Sequence, residues 1–174
     1  MFEVKQVEIL DSETESRLVK MLDAAFEGDF SNEDWEHTFG GYRFLGFLEA
    51  KLIAHGAIVP RKILVDSKLL TVGYIEGVAV HPEYWRNGYG SSLMAASTKV
   101  CRENFEFSML STDEKAFYTK HGWRDFEGES FVLVQGTEVR SEEEDEGLMY
   151  LLGNSTSDKS PRKVLCESRS GDSW

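Results

Sequence analysis

A glycine-rich turn between a predicted strand and a predicted helix is the stretch of this sequence best suited to hold a charged group. Residues 74–80 (YIEGVAV) carry β-branched side chains, which predicts a strand, and His81-Pro82-Glu83 then breaks it. Residues 87–91 (NGYGS) open a segment whose apolar side chains recur at helical spacing. Glycines let successive backbone N–H groups point into one concavity, and a helix N-terminus is positively polarised. The sequence therefore predicts a phosphate site here, with an ordinary helix-opening turn as the alternative.

This strand, turn and helix resemble the core motif of the GCN5-related N-acetyltransferases (GNAT), in which the loop reads [Q/R]-x-x-G-x-[G/A]. Trp85 stands where the family has Gln or Arg, and Arg86 lies beside it. The resemblance implies acetyl-CoA as co-substrate, with the strand backbone pairing with its pantetheine arm and the loop N–H groups holding its pyrophosphate. The cofactor-binding residues implied in this way are Val78, Ala79, Val80, Arg86, Asn87, Gly88, Tyr89, Gly90 and Ser91.

Two further residues are candidates for the proton transfers of such a reaction. Residues 116–123 (AFYTKHGW) resemble the family signature A-x-x-F-Y-x-x-x-G-[FW], which would place Tyr118 near the cofactor sulfur as a general acid. The alternative is that Tyr118 only packs its helix against the sheet. An aliphatic ammonium has a pKa of about 10, so the attacking amine needs a base. Glu76 is the candidate, directly or through a water; otherwise it binds a cationic substrate or faces outward from its strand.

A narrower resemblance runs from the first predicted helix to the last residue. Residues 26–30, 34–41, 73–80 and 170–174 resemble the aminoglycoside 2'-N-acetyltransferases, the last block matching a G-D-x-W terminus. Aminoglycosides are polyamines, and each ammonium needs a charge-assisted partner. The resemblance implies a homodimer and a substrate site that includes the α-carboxylate of residue 174. The implied substrate-binding residues are Asp29, Glu76, Gly77, Ser111, Asp145, Asp172 and Trp174.

Each of these acidic residues also has a plainer interpretation. Asp29 could cap a turn, and Asp145 belongs to an acidic run, residues 141–146, that is typical of a solvated loop. A C-terminal segment is usually frayed, although the Trp174 ring gives this one something to bury.

The composition is that of an acidic globular protein. A length of 174 residues suits one domain with a sizeable core, and the net charge of −12 argues against nucleic acid and suits a cationic partner. No apolar run is long enough to span a membrane, and the first residues lack a signal-peptide layout, so we expect a cytoplasmic protein. The two cysteines and four histidines show no metal-ligand spacing, and we expect no metal.

The elements that must position these residues are predicted in the order β-α-α-β-β-β-α-β-α-β-β. This order indicates an α+β (mixed α/β) chain, and the resemblance implies the GNAT acyltransferase fold, with a mostly antiparallel central sheet flanked by helices. Ser12 and Glu15 predict a capping box at the first helix. We expect one N-acetyltransferase domain over residues 1–174, with residues 154–174 as a C-terminal tail that contributes to the substrate site.

The interpretation that combines these features is acetyl-CoA-dependent acetylation of the 2'-amine of aminoglycosides, conferring resistance. Direct transfer is expected, since the sequence has no G-x-S-x-G nucleophile elbow. Two alternatives stay open at this point. One is a GNAT-fold enzyme for another amine, such as a polyamine or an amino sugar, and the other is a non-catalytic module that binds aminoglycoside or acetyl-CoA.

Overall fold

A computed structural model describes all 174 residues. The strands and helices, in chain order, are β1 (Phe2–Val7), α1 (Ser12–Ala25), α2 (Asn32–His37), β2 (Tyr42–Leu48), β3 (Lys51–Val65), β4 (Lys68–Val80), a 3₁₀ turn (Pro82–Tyr84), α3 (Tyr89–Asn104), β5 (Phe107–Ser111), α4 (Lys115–Thr119), β6 (Arg124–Asp125), β7 (Glu129–Val134), β8 (Thr137–Arg140), α5 (Glu142–Asp145), β9 (Leu148–Leu152) and β10 (Lys163–Glu167). They form two compact units: unit 1 comprises residues 1–59 and 75–99, and unit 2 comprises residues 60–74 and 100–174. The single-domain expectation stays a prediction.

Unit 1 packs helix α1 on a small antiparallel sheet. Strand β2 pairs with β1 on one side and with β3 on the other. Leu18, Met21 and Leu22 recur at helical spacing on α1 and are buried against Leu45 and Leu52 of the sheet. This apolar stripe is what fixes the helix on the strands.

The start of α1 corrects one expectation. The Asp11 carboxylate accepts a hydrogen bond from the Thr14 backbone N–H at 2.8 Å, so Asp11 is the N-cap and Ser12 is the first helical residue. Both residue types cap helices well, and the predicted Ser12–Glu15 capping box was wrong by one position.

In unit 2 the strand order is β6-β9-β5-β4-β3-β10-β7-β8, to which β3 contributes residues 60–65 and β4 contributes residues 68–74. Strands β4 and β5 run parallel, as do β10 and β7, and the other strand pairs with assigned register are antiparallel. Asp66 and Ser67 join β3 to β4 with φ of 48° and 71°, the pattern of a type I′ hairpin turn. This mixture of helices with a mostly antiparallel sheet agrees with the predicted α+β class.

Strand β10 lies inside the segment expected to be a C-terminal tail. It pairs antiparallel with β3 and parallel with β7. The Asp66 carboxylate fixes its start by accepting hydrogen bonds from the backbone N–H groups of Arg162 at 2.8 Å and Lys163 at 3.0 Å. Residues 154–174 therefore supply a sheet strand as well as a terminal segment.

Three more short elements were not in the predicted order. They are β6, β8 and α5, and α5 occupies most of the acidic run that was expected to be a loop. None of the helices combines the length and the apolar character that crossing a lipid bilayer requires.

Candidate active site

The turn before α3 presents backbone N–H groups that have no helical acceptor. The first helical bond joins the Ser92 N–H to the Gly88 carbonyl at 3.1 Å, so the N–H groups of Tyr89, Gly90 and Ser91 precede it. Gly88 has φ of 81°, and no atom lies within 4 Å of the position that a Cβ would occupy there. Space, left-handed backbone and the positive end of a 16-residue helix together fit an anionic group such as a pyrophosphate.

Side-chain hydrogen bonds hold the chain just before this turn. The Trp85 indole N–H donates to the Val80 carbonyl at 2.5 Å, and the Asn87 amide donates to the carbonyls of Tyr84 at 3.2 Å and Trp85 at 3.0 Å. Trp85, which replaces the Gln or Arg of the motif, thus ties the turn to the end of β4. Arg86 has φ of 63° and an exposed side chain, and its contact with the cofactor stays a prediction.

The predicted pantetheine-pairing segment is the last part of β4. Ala79 is buried in the core of unit 1, whereas Val78 and Val80 are partly exposed. The Val80 carbonyl already accepts the Trp85 indole N–H, and the His81 N–H donates to the Ile53 carbonyl at 2.8 Å. Pairing of these residues with a cofactor stays a prediction.

Gly77 makes a kink within β4, directly after Glu76. Its φ is 58°, in the left-handed region that interrupts the alternation of a strand. A Cβ at Gly77 would lie 3.0 Å from Thr38 Cγ2 and 3.3 Å from His55 Cε1, which is closer than such carbons normally approach. Both the backbone angle and the space therefore require glycine. Glu76 itself is partly buried.

The Gly77 carbonyl belongs to a buried polar cluster that sequence reasoning missed. It lies 2.7 Å from His55 Nδ1, and His55 Nε2 lies 2.6 Å from Arg43 Nη1. Arg43 Nη2 donates to the carbonyl and the hydroxyl of Thr38 at 3.0 and 2.9 Å. The one signal in the sequence is a histidine inside an otherwise apolar run, residues 52–59 (LIAHGAIV).

The protonation of this cluster follows from its burial. Burial, together with the Arg43 charge, lowers the pKa of His55 to about 3, against the opposing hydrogen bond to Gly77. Burial lowers the pKa of Arg43 to about 10, and the Glu15 charge acts in the other direction. His55 is thus neutral and Arg43 charged at neutral pH. Because a carbonyl can only accept, His55 carries its proton on Nδ1, and Nε2 accepts from Arg43.

Tyr118 lies on α4 in unit 2 and is buried, with 8% of its surface exposed. Burial and then the Glu114 charge raise the pKa of Tyr118 above its ordinary value, and a hydrogen bond with Thr112 acts in the opposite direction. The phenol is therefore protonated at neutral pH and able to donate. The Phe117 ring meets the Tyr118 ring edge-on, with 5.0 Å between the centroids.

Asp29 and Ser111, two of the predicted substrate ligands, are exposed. Asp29 follows α1, and its N–H donates to the Phe26 carbonyl at 2.9 Å. Ser111 ends β5 opposite Leu148 of β9. Their roles stay predictions.

Asp145 in unit 2 is bound by neighbouring side chains. It forms an ion pair with Arg140, and its Oδ1 accepts hydrogen bonds from the Ser130 N–H at 2.9 Å and the Ser130 hydroxyl at 2.7 Å. Burial favours a higher pKa for Asp145, but the hydrogen bonds from Arg140 and Ser130 outweigh it and hold the pKa below its ordinary value. Any substrate amine would have to share this carboxylate with Arg140.

The segment that ends with Trp174 is folded onto unit 2. The Trp174 ring is 3% exposed, and its indole N–H donates to the Ser141 hydroxyl at 3.1 Å. Asp172 is exposed and accepts the Trp174 backbone N–H at 3.1 Å. Burial, followed by the charges of Asp172 and Glu143, raises the pKa of Glu144, a residue that sequence reasoning did not select. Several acidic groups therefore share one region of unit 2.

Metal-ligating side chains do not gather anywhere in residues 1–174. Both cysteines, Cys101 and Cys166, are buried free thiols. Burial raises the pKa of Cys101 to about 12, so this thiol is not a nucleophile at neutral pH.

Comparison with known proteins identifies the family. Residues 6–125 match the model of the acetyltransferase (GNAT) domain. This chain belongs to the GNAT acetyltransferases. It is also 35% identical over 170 residues to the aminoglycoside 2'-N-acetyltransferase of Mycolicibacterium fortuitum, covering 95% of this chain and 87% of that protein. Both predicted resemblances are confirmed, and the chain is an acetyltransferase.

Solved structures agree on the GNAT fold. The GNAT family N-acetyltransferase YhbS from Escherichia coli, solved with CoA, aligns with a TM-score of 0.66 and 15% identity over 95% of this chain and 88% of that one. A GNAT acetyltransferase from Brucella melitensis, solved with acetyl-CoA, aligns with a TM-score of 0.63 and 14% identity over 92% of this chain and 93% of that one. A probable N-acyltransferase from Enterococcus faecalis V583 is longer, and the present chain spans 33% of its length. The predicted fold class is confirmed.

Proposed function

We propose that this GNAT acetyltransferase transfers the acetyl group of acetyl-CoA directly to the 2'-amine of aminoglycosides. The observation that supports this substrate most strongly is the 35% identity, over 95% of the chain, to a relative named for that activity. The net charge of −12 favours a polycationic substrate in addition.

Acetyl-CoA supplies an activated acyl group as a thioester, and the turn before α3 fits its pyrophosphate. The N–H groups of Tyr89, Gly90 and Ser91 would bind the phosphate oxygens, and the open space at Gly88 would admit them. Arg86, exposed beside the turn, would replace the Gln or Arg side chain that the motif places at residue 85.

Glu76 and Tyr118 would divide the proton transfers. An aminoglycoside amine is largely in its ammonium form at neutral pH, so Glu76 would take a proton from it, directly or through a water. Tyr118, whose pKa is raised by burial, keeps its proton at neutral pH and would donate it toward the leaving sulfur. No covalent enzyme intermediate is needed, because a deprotonated amine is itself a nucleophile.

Substrate ammonium groups would be bound by carboxylates of this chain. Asp29 and Asp172 are exposed and available for this role, and Glu76 can combine it with that of the base. Ser111 and the Gly77 backbone would contact hydroxyl or amine groups. Asp145, which Arg140 already binds, and the segment ending at Trp174 are further proposed ligands.

Mass spectrometry with matched substrates tests the proposal. Kanamycin B and tobramycin carry a 2'-amine and should each gain one acetyl group, whereas kanamycin A carries a 2'-hydroxyl and should not react. Equal turnover of kanamycin A would refute the 2' assignment. Thiol release with polyamines or amino sugars, but with no aminoglycoside, would point to a different acceptor.

Resistance and assembly need separate measurements. We propose that expression of the chain raises the inhibitory concentration of tobramycin more than that of kanamycin A. A homodimer and a cytoplasmic location are also proposed from the family resemblance, and light scattering and cell fractionation would test them.

A further inference from the structure

The kink at Gly77 is held by a hydrogen bond from outside its own strand. With φ of 58°, Gly77 departs from the extended backbone on either side of it. Its carbonyl lies 2.7 Å from His55 Nδ1 on β3. A glycine can adopt many backbone angles, so a fixed contact is needed to select this one. His55 provides that contact.

His55 is in turn held from its other side. Its ring is fully buried, and Nε2 lies 2.6 Å from Arg43 Nη1. Arg43 is anchored by the carbonyl and hydroxyl of Thr38, and its guanidinium lies over the rings of Trp35 at 5.2 Å and Phe39 at 4.7 Å. Turning the imidazole over about its Cβ–Cγ bond would put Cδ2 and Cε1 where Nδ1 and Nε2 now lie and would break both hydrogen bonds. The tautomer and the ring orientation are therefore fixed together.

We propose that His55 is a positioning residue for acetyl transfer, whose Nδ1–H holds the Gly77 carbonyl and thereby fixes the direction of Glu76. The inference rests on the proposed function, because it takes Glu76 to be the base. Glu76 and Gly77 share a peptide bond, so a change in the backbone angles of Gly77 turns Glu76 relative to residues 78–80. Those residues are the ones proposed to pair with acetyl-CoA.

Packing alone does not explain why the side chains of this buried cluster are polar. A guanidinium and an imidazole cost free energy to bury, and apolar side chains would fill the same space without that cost. What apolar side chains lack is an N–H group aimed at the Gly77 carbonyl. The polar cluster thus provides one thing that a simple core does not, a fixed donor at the kink beside Glu76.

Two substitutions separate the functions of the two ring nitrogens. His55→Asn keeps an N–H donor near the position of Nδ1 but removes the acceptor for Arg43. His55→Gln reaches toward the position of Nε2 and keeps an acceptor for Arg43, but it loses the donor to Gly77. The pair is nearly matched in polarity and differs in which contact survives.

We expect the variants to differ in kcat rather than in folding alone. His55→Gln should lower kcat about 10- to 100-fold, since a misplacement of about 1 Å can cost about 100-fold. His55→Asn should keep kcat within about threefold of the wild type, even if its unfolding temperature is the lower of the two. Steady-state kinetics with tobramycin and acetyl-CoA, run well below both unfolding temperatures, gives these values. Equal losses of kcat, or a larger loss in His55→Asn, would overturn the proposal.

A double substitution tests whether His55 acts through Glu76. If it does, Glu76→Gln combined with His55→Gln should be no slower than Glu76→Gln alone. If the kcat losses of the two single variants multiply in the double variant, His55 does not act through Glu76. Failure of the proposed function is distinguishable, because the wild type itself would then leave tobramycin unmodified. In that case the same comparison is run with whichever amine the wild type acetylates.

A measurement on the wild type keeps the proposal testable if a variant does not fold. Long-range ¹H–¹⁵N correlation spectra distinguish the two neutral histidine tautomers. The ring signal of His55, assigned through its backbone resonances, should show a proton on Nδ1 at neutral pH. A proton on Nε2 would overturn the proposal, because Nδ1 could then not donate to Gly77.

Discussion

Gly88→Asp tests the phosphate site most directly, with Gly88→Asn as its matched control. Both side chains have the same shape, and both residue types tolerate a positive φ better than most, so the backbone strain at φ of 81° is nearly the same. Neither meets a steric obstacle, because no atom lies within 4 Å of the Cβ position. The two variants therefore differ in one negative charge beside the first turn of α3.

The expected difference in CoA affinity between the two variants follows from Coulomb's law. Two like unit charges about 6 Å apart repel by about 0.7 kcal/mol in bulk water and about 2.8 kcal/mol at an effective dielectric constant of about 20. Because about 1.4 kcal/mol corresponds to a factor of ten, the Kd of CoA should be about 3- to 100-fold higher for the Asp variant than for the Asn variant. Unfolding should not explain this difference, since a carboxylate before a helix is stabilising.

Isothermal titration calorimetry with CoA provides the Kd values. The ratio of the two Kd values should decrease at about 1 M salt, where the Debye length is about 3 Å. If the two folded variants bind CoA equally well at low salt, the phosphates do not bind at the N-terminus of α3.

Three further predictions concern catalysis and stability. Tyr118→Phe should lower kcat about 10- to 1000-fold without changing the Kd of CoA, and a kcat within twofold of wild type would assign the residue to packing. Trp174→Ala should lower the free energy of unfolding by about 3–5 kcal/mol. Trp174→Phe should lower it by only about 1 kcal/mol, because this variant loses chiefly the hydrogen bond to Ser141. Denaturant titration measures both values, and an unchanged free energy of unfolding in both variants would contradict the burial of the ring. His55 binds a proton near pH 6.5 when unfolded but only near pH 3 when folded, so the unfolded state holds more protons in that window. Stability should therefore fall as pH falls from 6.5 toward 3, by up to about 1.4 kcal/mol per pH unit, and urea titrations of His55→Asn at pH 7 and pH 5 should lack that contribution.

Local signals in the sequence predicted a large part of the fold. The turn at Gly88 could be predicted because glycine spacing and the helical pattern of α3 lie within one short stretch. Strands β5 and β9 occur in the predicted order, since their apolar runs are continuous and almost fully buried. Strands β8 and β10 were missed because their stability comes from pairing. Cys166 of β10, for example, lies opposite Ile63, a neighbour far away in the sequence.

The candidate site also depends on tertiary contacts that the sequence does not reveal. A glycine beside Glu76 is visible in the sequence, but its positive φ and its bond to His55 depend on β3 and β4 being neighbours. The sequence likewise placed Asp145 in an acidic run without revealing that Arg140, five residues earlier, faces it. The sequence gives the sign of the net charge in a region, whereas tertiary contacts decide which charged groups pair.

The position of β10 has a consequence for how the chain matures on the ribosome. Strands β3 and β7, its two partners, are synthesised well before it, yet β10 lies between them. Until residue 167 has left the exit tunnel, both partners have an open edge, and open edges invite pairing with other chains. The sheet of unit 2 therefore cannot close before β10 has emerged. A nascent chain or a fragment that stops before Lys163 would need a chaperone to cover the two edges or would be prone to aggregate.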